Sequence, residues 1–332
     1  MLPRPQITRT LTALTLALTL AAPVARADYP ETVRDHILPG YQRLAEATAA
    51  LATATEASCA TEDLAPAYHA AYDAWMGMQH LRFGPVETDG RALAILYWPD
   101  PKGSGARAQM ALLTGDPAKL APEVFAEQSV AARGLPALER LLYPDQALPA
   151  DPCPLIRATA ADLAQTAATV LAEWQGGYAD QVITAGEAGN PLFQTRKEAR
   201  QLMFTQIATA LEMLDDQRLG RPLGTPEAPR PERAEARASG RSARNVVLAL
   251  TALRAMAQSL TPDAPKTDAG FAHALDLLAA LQDPVFAGVA EPNARLKVEI
   301  IQQAVAHLRE LALGELGPEL DVGLGFNAAD GD

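Results

Sequence analysis

The chain has 332 residues, with 28 Lys plus Arg against 40 Asp plus Glu and a formal net charge of −12. That balance offers no general basic footprint and excludes nucleic acid as a main partner. Two cysteines are too few for a disulfide-dense scaffold or a four-thiolate zinc site, while the length supports one large or two ordinary cores.

Residues 1–27 read as a signal peptide. Arg4 and Arg9 make a positive start, Leu11 to Ala22 an apolar run, and Ala25-Arg26-Ala27 places small residues at the cleavage positions. The run falls short of the roughly 20 residues a membrane span needs. Cleavage after Ala27 is therefore expected to release a periplasmic chain beginning at Asp28, with no transmembrane segment. Loss of Arg4, Arg9 and Arg26 leaves 25 basic residues against 40 acidic, a charge of −15. In an oxidising compartment Cys59 and Cys153 are expected to pair; a free buried pair is the alternative.

Most of the mature sequence has helical period. Residues 28–57 form a first helix, with a break expected at Pro39-Gly40. A second runs over 61–83, with Thr61 as N-cap and a buried stripe of Leu64, Tyr68, Ala71, Trp75, Met78 and Arg82. Residues 86–115 read as loop, with turn chemistry at Trp98-Pro99-Asp100-Pro101. Short helices follow over 122–132 and 135–143, then a long one over 154–185. After a break at 186–191, helices are expected over 192–219, 242–260, 268–281 and 292–313, with 220–240 as an extended Pro/Glu/Arg-rich loop. No strand alternation appears. The expected fold is all-α: two helical bundles packed together, residues 28–188 and 189–332.

Within the 135–143 helix, Glu139 projects from the apolar face of Leu135, Leu138 and Leu142, where a carboxylate needs a partner. A Glu at the margin of the stripe, reaching solvent, is the alternative. Arg82 continues the second helix's buried stripe, with Glu87 and Glu139 as candidate partners, or snorkels from the helix end. His69, Asp73 and His80 lie about 140–180° from the apolar face and are expected to point to solvent; His36, His273 and His307 are scattered singly. Ser239-Gly240-Arg241-Ser242 precedes a helix. Either serine caps it, or amides, hydroxyls and Arg241 hold an anion there. The closing Leu324 to Asp332 combines Gly, Phe and Asn and is expected to be docked.

Five stretches carry a resemblance: Phe83-Gly84-Pro85-Val86-Glu87, Tyr97-Trp98-Pro99-Asp100, Gly134-Leu135-Pro136-Ala137-Leu138-Glu139, Ser239-Gly240-Arg241-Ser242 and Leu324 to Asp332. In content and order the chain resembles the imelysin-like family of exported bacterial proteins, also classed as M75 peptidases. The resemblance implies two helical bundles with a site at their interface, and a periplasmic or cell-surface role linked to iron uptake. Its hallmark is Gly-x-His-x-x-Glu. Gly134 and Glu139 match, but Pro136 stands where the histidine belongs, which removes half of the metal pair the motif implies. The resulting expectation is a periplasmic ligand-binding protein, with no demonstrable protease activity, for an iron chelate or haem. Its pocket is lined by Arg82, Glu87, Trp98, Glu139 and Arg241, and an outer-membrane uptake protein is the implied partner. Glu139 is the one metal candidate of the motif. The alternatives are an M75-type metal-dependent peptidase, with Glu139 as ligand or general base, and a structural docking protein.

Overall fold

Helical periodicity becomes nine helices of 9 residues or more among the described residues, 28–323, of the computed structural model. Residues 1–27, expected to be a signal peptide, and the closing Leu324 to Asp332, expected to be docked, lie outside the described residues. Helix α1 covers residues 29–57, α2 Thr61–Met76, α3 Ser104–Leu113, α4 Gly134–Leu142 and α5 residues 153–183. Beyond it come α6 at residues 196–223, α7 Ser242–Leu260, α8 Pro265–Ala280 and α9 Pro292–Glu319. No strand is present among the described residues; one isolated bridge joins Thr225 and Ala228. The all-α expectation holds.

Packing concentrates in two groups. Helix α1 lies along α2 and α5, and α4 packs on both α2 and α5. In the second group α9 packs on α8 and α6, and α7 on α6 and α8. The first turns of α1, together with α2, meet α7 across the groups, and one apolar core runs through both. Helix α4 is too short to persist alone. Burial of Leu135, Leu138, Leu141 and Leu142 holds it in place, at about 1.5–3 kcal/mol per side chain. Its start admits glycine only: Gly134 has φ +71°, and a Cβ there would run into the carbonyl oxygens of Ala94 and Ile95. Cys59 and Cys153 are disulfide-bonded, with Cα atoms 5.4 Å apart, tying the end of α1 to the first residue of α5.

Three local expectations fail for physical reasons. The helix does not break at Pro39-Gly40. A wide π-turn over Thr32–Ile37 precedes it, the Leu38 amide reaching Val33, so the change of register falls beside the residue that has no N–H to donate. Helix α2 ends at Met76 rather than Phe83; residues 77–80 wind into tighter turns, with the Met78 amide bonded to the Trp75 carbonyl and Leu81 to Met78. The apolar spacing persists past that end, so it did not mark the boundary. Within the stretch read as loop, α3 forms because the Asp100 carboxylate accepts from the amides of Ser104 and Gly105, a cap placed before the helix proper.

Candidate functional site

Glu139 on α4 is largely buried, and its partner comes from the other group of helices. Both the Ser239 amide (2.8 Å) and the Ser239 hydroxyl (2.6 Å) donate to its Oε1. Burial pushes the Glu139 pKa up; the two Ser239 bonds and Arg140 pull against that, and Glu235 adds to it. Neither serine of the 239–242 stretch caps α7, because the Ser242 hydroxyl donates to the Glu235 carbonyl instead. The amide and hydroxyl expected to hold an anion hold the protein's own carboxylate. Its second oxygen, Oε2, accepts no hydrogen bond among the described residues.

Arg241 is buried and turns the other way, pairing with Asp73 and donating to His69 Nδ1 at 2.9 Å. A guanidinium only donates, so Nδ1 is the acceptor and Nε2–H faces the Tyr143 hydroxyl at 3.2 Å. Burial, then the charge of Arg241, lowers the His69 pKa and keeps the ring neutral. Arg241 also lies 4.6 Å above the Tyr72 ring, and Arg244 shares the Asp73 carboxylate. The expectation that His69 and Asp73 face solvent is thus corrected. Helix α2 has a second covered face: α7 packs on the flank beside the apolar stripe and brings Arg241 to Asp73.

Beneath lies a buried polar cluster that sequence reasoning missed. Arg218 donates to both oxygens of Glu235, at 2.7 and 3.0 Å, and Asn245 donates to the same carboxylate. Burial works against the Arg218 charge, but Glu235 outweighs it and the pKa is raised. Its Nη1 has no hydrogen-bond partner among the described residues. One signal existed: Arg218 sits seven residues beyond Leu211 and four beyond Leu214, on an apolar stripe.

Between the two groups opens a pocket of about 520 Å³, lined by Trp98, Pro136, Glu139 and Arg140 from one side and by Arg221, Arg233 and Arg237 from the other. Trp98 is half-buried, follows the chain into a cis bond to Pro99, and lies 5.9 Å from both Arg218 and Arg221. Trp98 and Glu139 therefore share one pocket, whereas Arg241, paired with Asp73, does not line it. Arg82 and Glu87 do not join them. They pair with each other at 2.8 Å, both well exposed, beside a separate groove of about 790 Å³ along Gly84, Pro85, Glu173 and Tyr178. Arg82 left the core because α2 stops at Met76.

His80 is also corrected: it is buried, and its Nε2 lies 3.1 Å from Nε2 of His36, one of the histidines read as scattered. Burial lowers both pKa values, that of His36 to about 4 with help from Arg43. At the motif itself the residues do not fit a metal centre. Pro136 has no donor, Glu139 offers one free oxygen, and among the described residues no three His, Cys, Asp or Glu side chains are placed to hold an ion.

A family described as Imelysin, peptidase M75, matches residues 37–312. The chain belongs to the imelysin family. Among solved structures it is similar to an imelysin-like protein from Psychrobacter arcticum, at 20% identity and TM-score 0.72, over 90% of this chain and 96% of that one. It is also similar to a protein from Parabacteroides distasonis titled "putative iron-regulated protein A precursor", at 15% identity and TM-score 0.60, over 86% of this chain and 92% of that one. These likenesses confirm the fold. No curated protein matches the chain.

Proposed function

We propose that this imelysin-family chain is an exported binding protein of iron-related uptake that takes an iron chelate or haem in the pocket between Trp98 and Glu139. The observation that carries the reading is the pocket's construction. Charged groups from both helical groups converge on a volume suited to a small organic ligand, and Glu139 is fixed by Ser239 with one oxygen unengaged. Arginines and carboxylates of this kind suit an oxygen-rich ligand over a bare soft metal. The name of the Parabacteroides protein supports the iron link. Pro136 and the Ser239 bonds to Glu139 speak for binding over peptide hydrolysis.

Residues 1–27 act as the signal, and residues 28–188 and 189–332 as the two bundles that meet at the pocket. Equilibrium titration of the purified protein with haem and ferric chelates tests the reading. Saturable binding of one, weakened by Glu139→Gln, is expected; no binding of any overturns it. Chelator-sensitive proteolysis would overturn the distinction from a peptidase. N-terminal sequencing of the exported protein is expected to begin at Asp28, and a chain retained intact in the cytoplasm would refute the export.

A further inference from the structure

Seven arginines fall between Arg218 and Arg244 in a chain with an excess of acidic residues. Arg218 is paired with Glu235, and Arg241 and Arg244 are paired with Asp73. Arg221, Arg233 and Arg237 line the pocket beside Trp98, and among the described residues none of the three enters an ion pair. The other charges on the pocket wall do not answer them. Glu139 is held by Ser239, Asp100 by Ser104 and Gly105, and Arg140 donates to Gln109 and to the Ala131 carbonyl. Glu232 and Asp145 share the wall but come within ion-pair distance of none of the three.

Arg221 and Arg233 are close enough that burial first, and then the charge of Arg233, lowers the Arg221 pKa. The Arg221 guanidinium lies 5.9 Å from the Trp98 ring centre, and its Nε is a buried donor with no acceptor among the described residues. Like charges held together, with a donor unused, form an arrangement that an anion between them relieves. A pocket of about 520 Å³ exceeds what a free phosphate occupies. One wall, the face of Trp98, suits carbon rather than charge.

We infer that Arg221, Arg233 and Arg237 form a subsite for a polycarboxylate, an organic ligand with two or more carboxylates whose carbon frame lies on Trp98. This deepens the binding-pocket reading above and rests on it, because it names the chemistry by which that ligand is recognised.

Tryptophan fluorescence reads the site directly, since Trp75 and Trp174 are fully buried and Trp98 is not. The full protein is titrated with citrate, with acetate and inorganic phosphate as comparators at fixed ionic strength. Citrate is expected to give a saturable change and to bind more tightly than either comparator. Arg221→Gln/Arg233→Gln is expected to weaken citrate about 100-fold, taking about tenfold per lost charge-assisted pair, while Arg43→Gln on the exposed face of α1 leaves it unchanged. Arg237→Gln, at a solvent-exposed position, gives about tenfold and stands in should the double variant not fold. No saturation with citrate, equal affinity for phosphate, or affinity unchanged in these variants overturns the inference. Parallel titrations with haem and a ferric chelate separate the two readings. Citrate binding through the arginines without any iron ligand retains the inference and removes the iron role. An iron ligand bound independently of the arginines does the reverse.

Discussion

The buried pair His36–His80 makes stability depend on pH in a window where few other groups titrate. In the folded protein His36 has its pKa lowered from 6.5 to about 4, and His80 is lowered by burial and by His36. Unfolding returns both rings to water, where they bind protons near pH 6.5. The unfolded chain therefore takes up protons that the folded one refuses. The stabilisation is complete above pH 6.5 and is lost as pH falls toward 4. For His36 the full effect is about 3 kcal/mol, of which about 2 kcal/mol has developed by pH 5; His80 adds to it in the same direction. The two rings share one contact, so they titrate as a pair. The perturbation is His36→Leu/His80→Leu, which removes both ionisable rings and leaves no orphaned partner. Urea unfolding followed by circular dichroism at pH 7.5 and pH 5 gives the change in stability for each protein. The parent is expected to lose at least about 2 kcal/mol more than the variant over that interval. His69, also lowered, remains in both proteins and cancels in the comparison. Equal losses in parent and variant would refute the assignment.

Three further outcomes are expected. Glu235→Ala strands Arg218 as a buried charge and should cost about 3–5 kcal/mol in urea unfolding; a cost under about 1 kcal/mol would mean that water reaches the guanidinium. Ser239→Ala removes the hydroxyl bond to Glu139, and calorimetry should show a loss of about 1.5–3 kcal/mol, with the Glu139 pKa rising further in an NMR titration. Replacing Cys59 and Cys153 by Ser opens a link across 94 residues, and chain entropy sets the loss at about 4.7 kcal/mol in chemical denaturation; an unchanged midpoint would contradict it.

Helix existence was legible because burial imposes a 3.6-residue stripe, and Leu64, Tyr68, Ala71, Trp75 and Met78 are all buried as the spacing requires. Helix ends were less so. The stripe continues through Met78, Leu81 and Phe83 after the helix has stopped, since these side chains stay in the core by another backbone path. Glu139 could be singled out because its own helix puts it on an apolar face. Its partner could not be derived that way, because Ser239 arrives from 100 residues away. Separations of 168 and 44 residues hid Arg241–Asp73 and His36–His80 in the same way. Periodicity records which face of a helix is covered, and carries nothing about which distant segment covers it. The arginines between 218 and 244 were visible as composition, but read as loop chemistry until the fold set Arg221, Arg233 and Arg237 around Trp98.

The Cys59–Cys153 bond closes residues 60–152 into a covalent ring, and Trp98, Glu139 and Arg140 all lie inside it, whereas Ser239, Arg221, Arg233 and Arg237 lie outside. A single backbone cut in the exposed stretch around residues 115–119 therefore releases no fragment. The nicked chain migrates as one species without reductant and as two with it, still presenting one wall of the pocket. Limited proteolysis of this protein reports on the integrity of that wall only when the gel is run reduced.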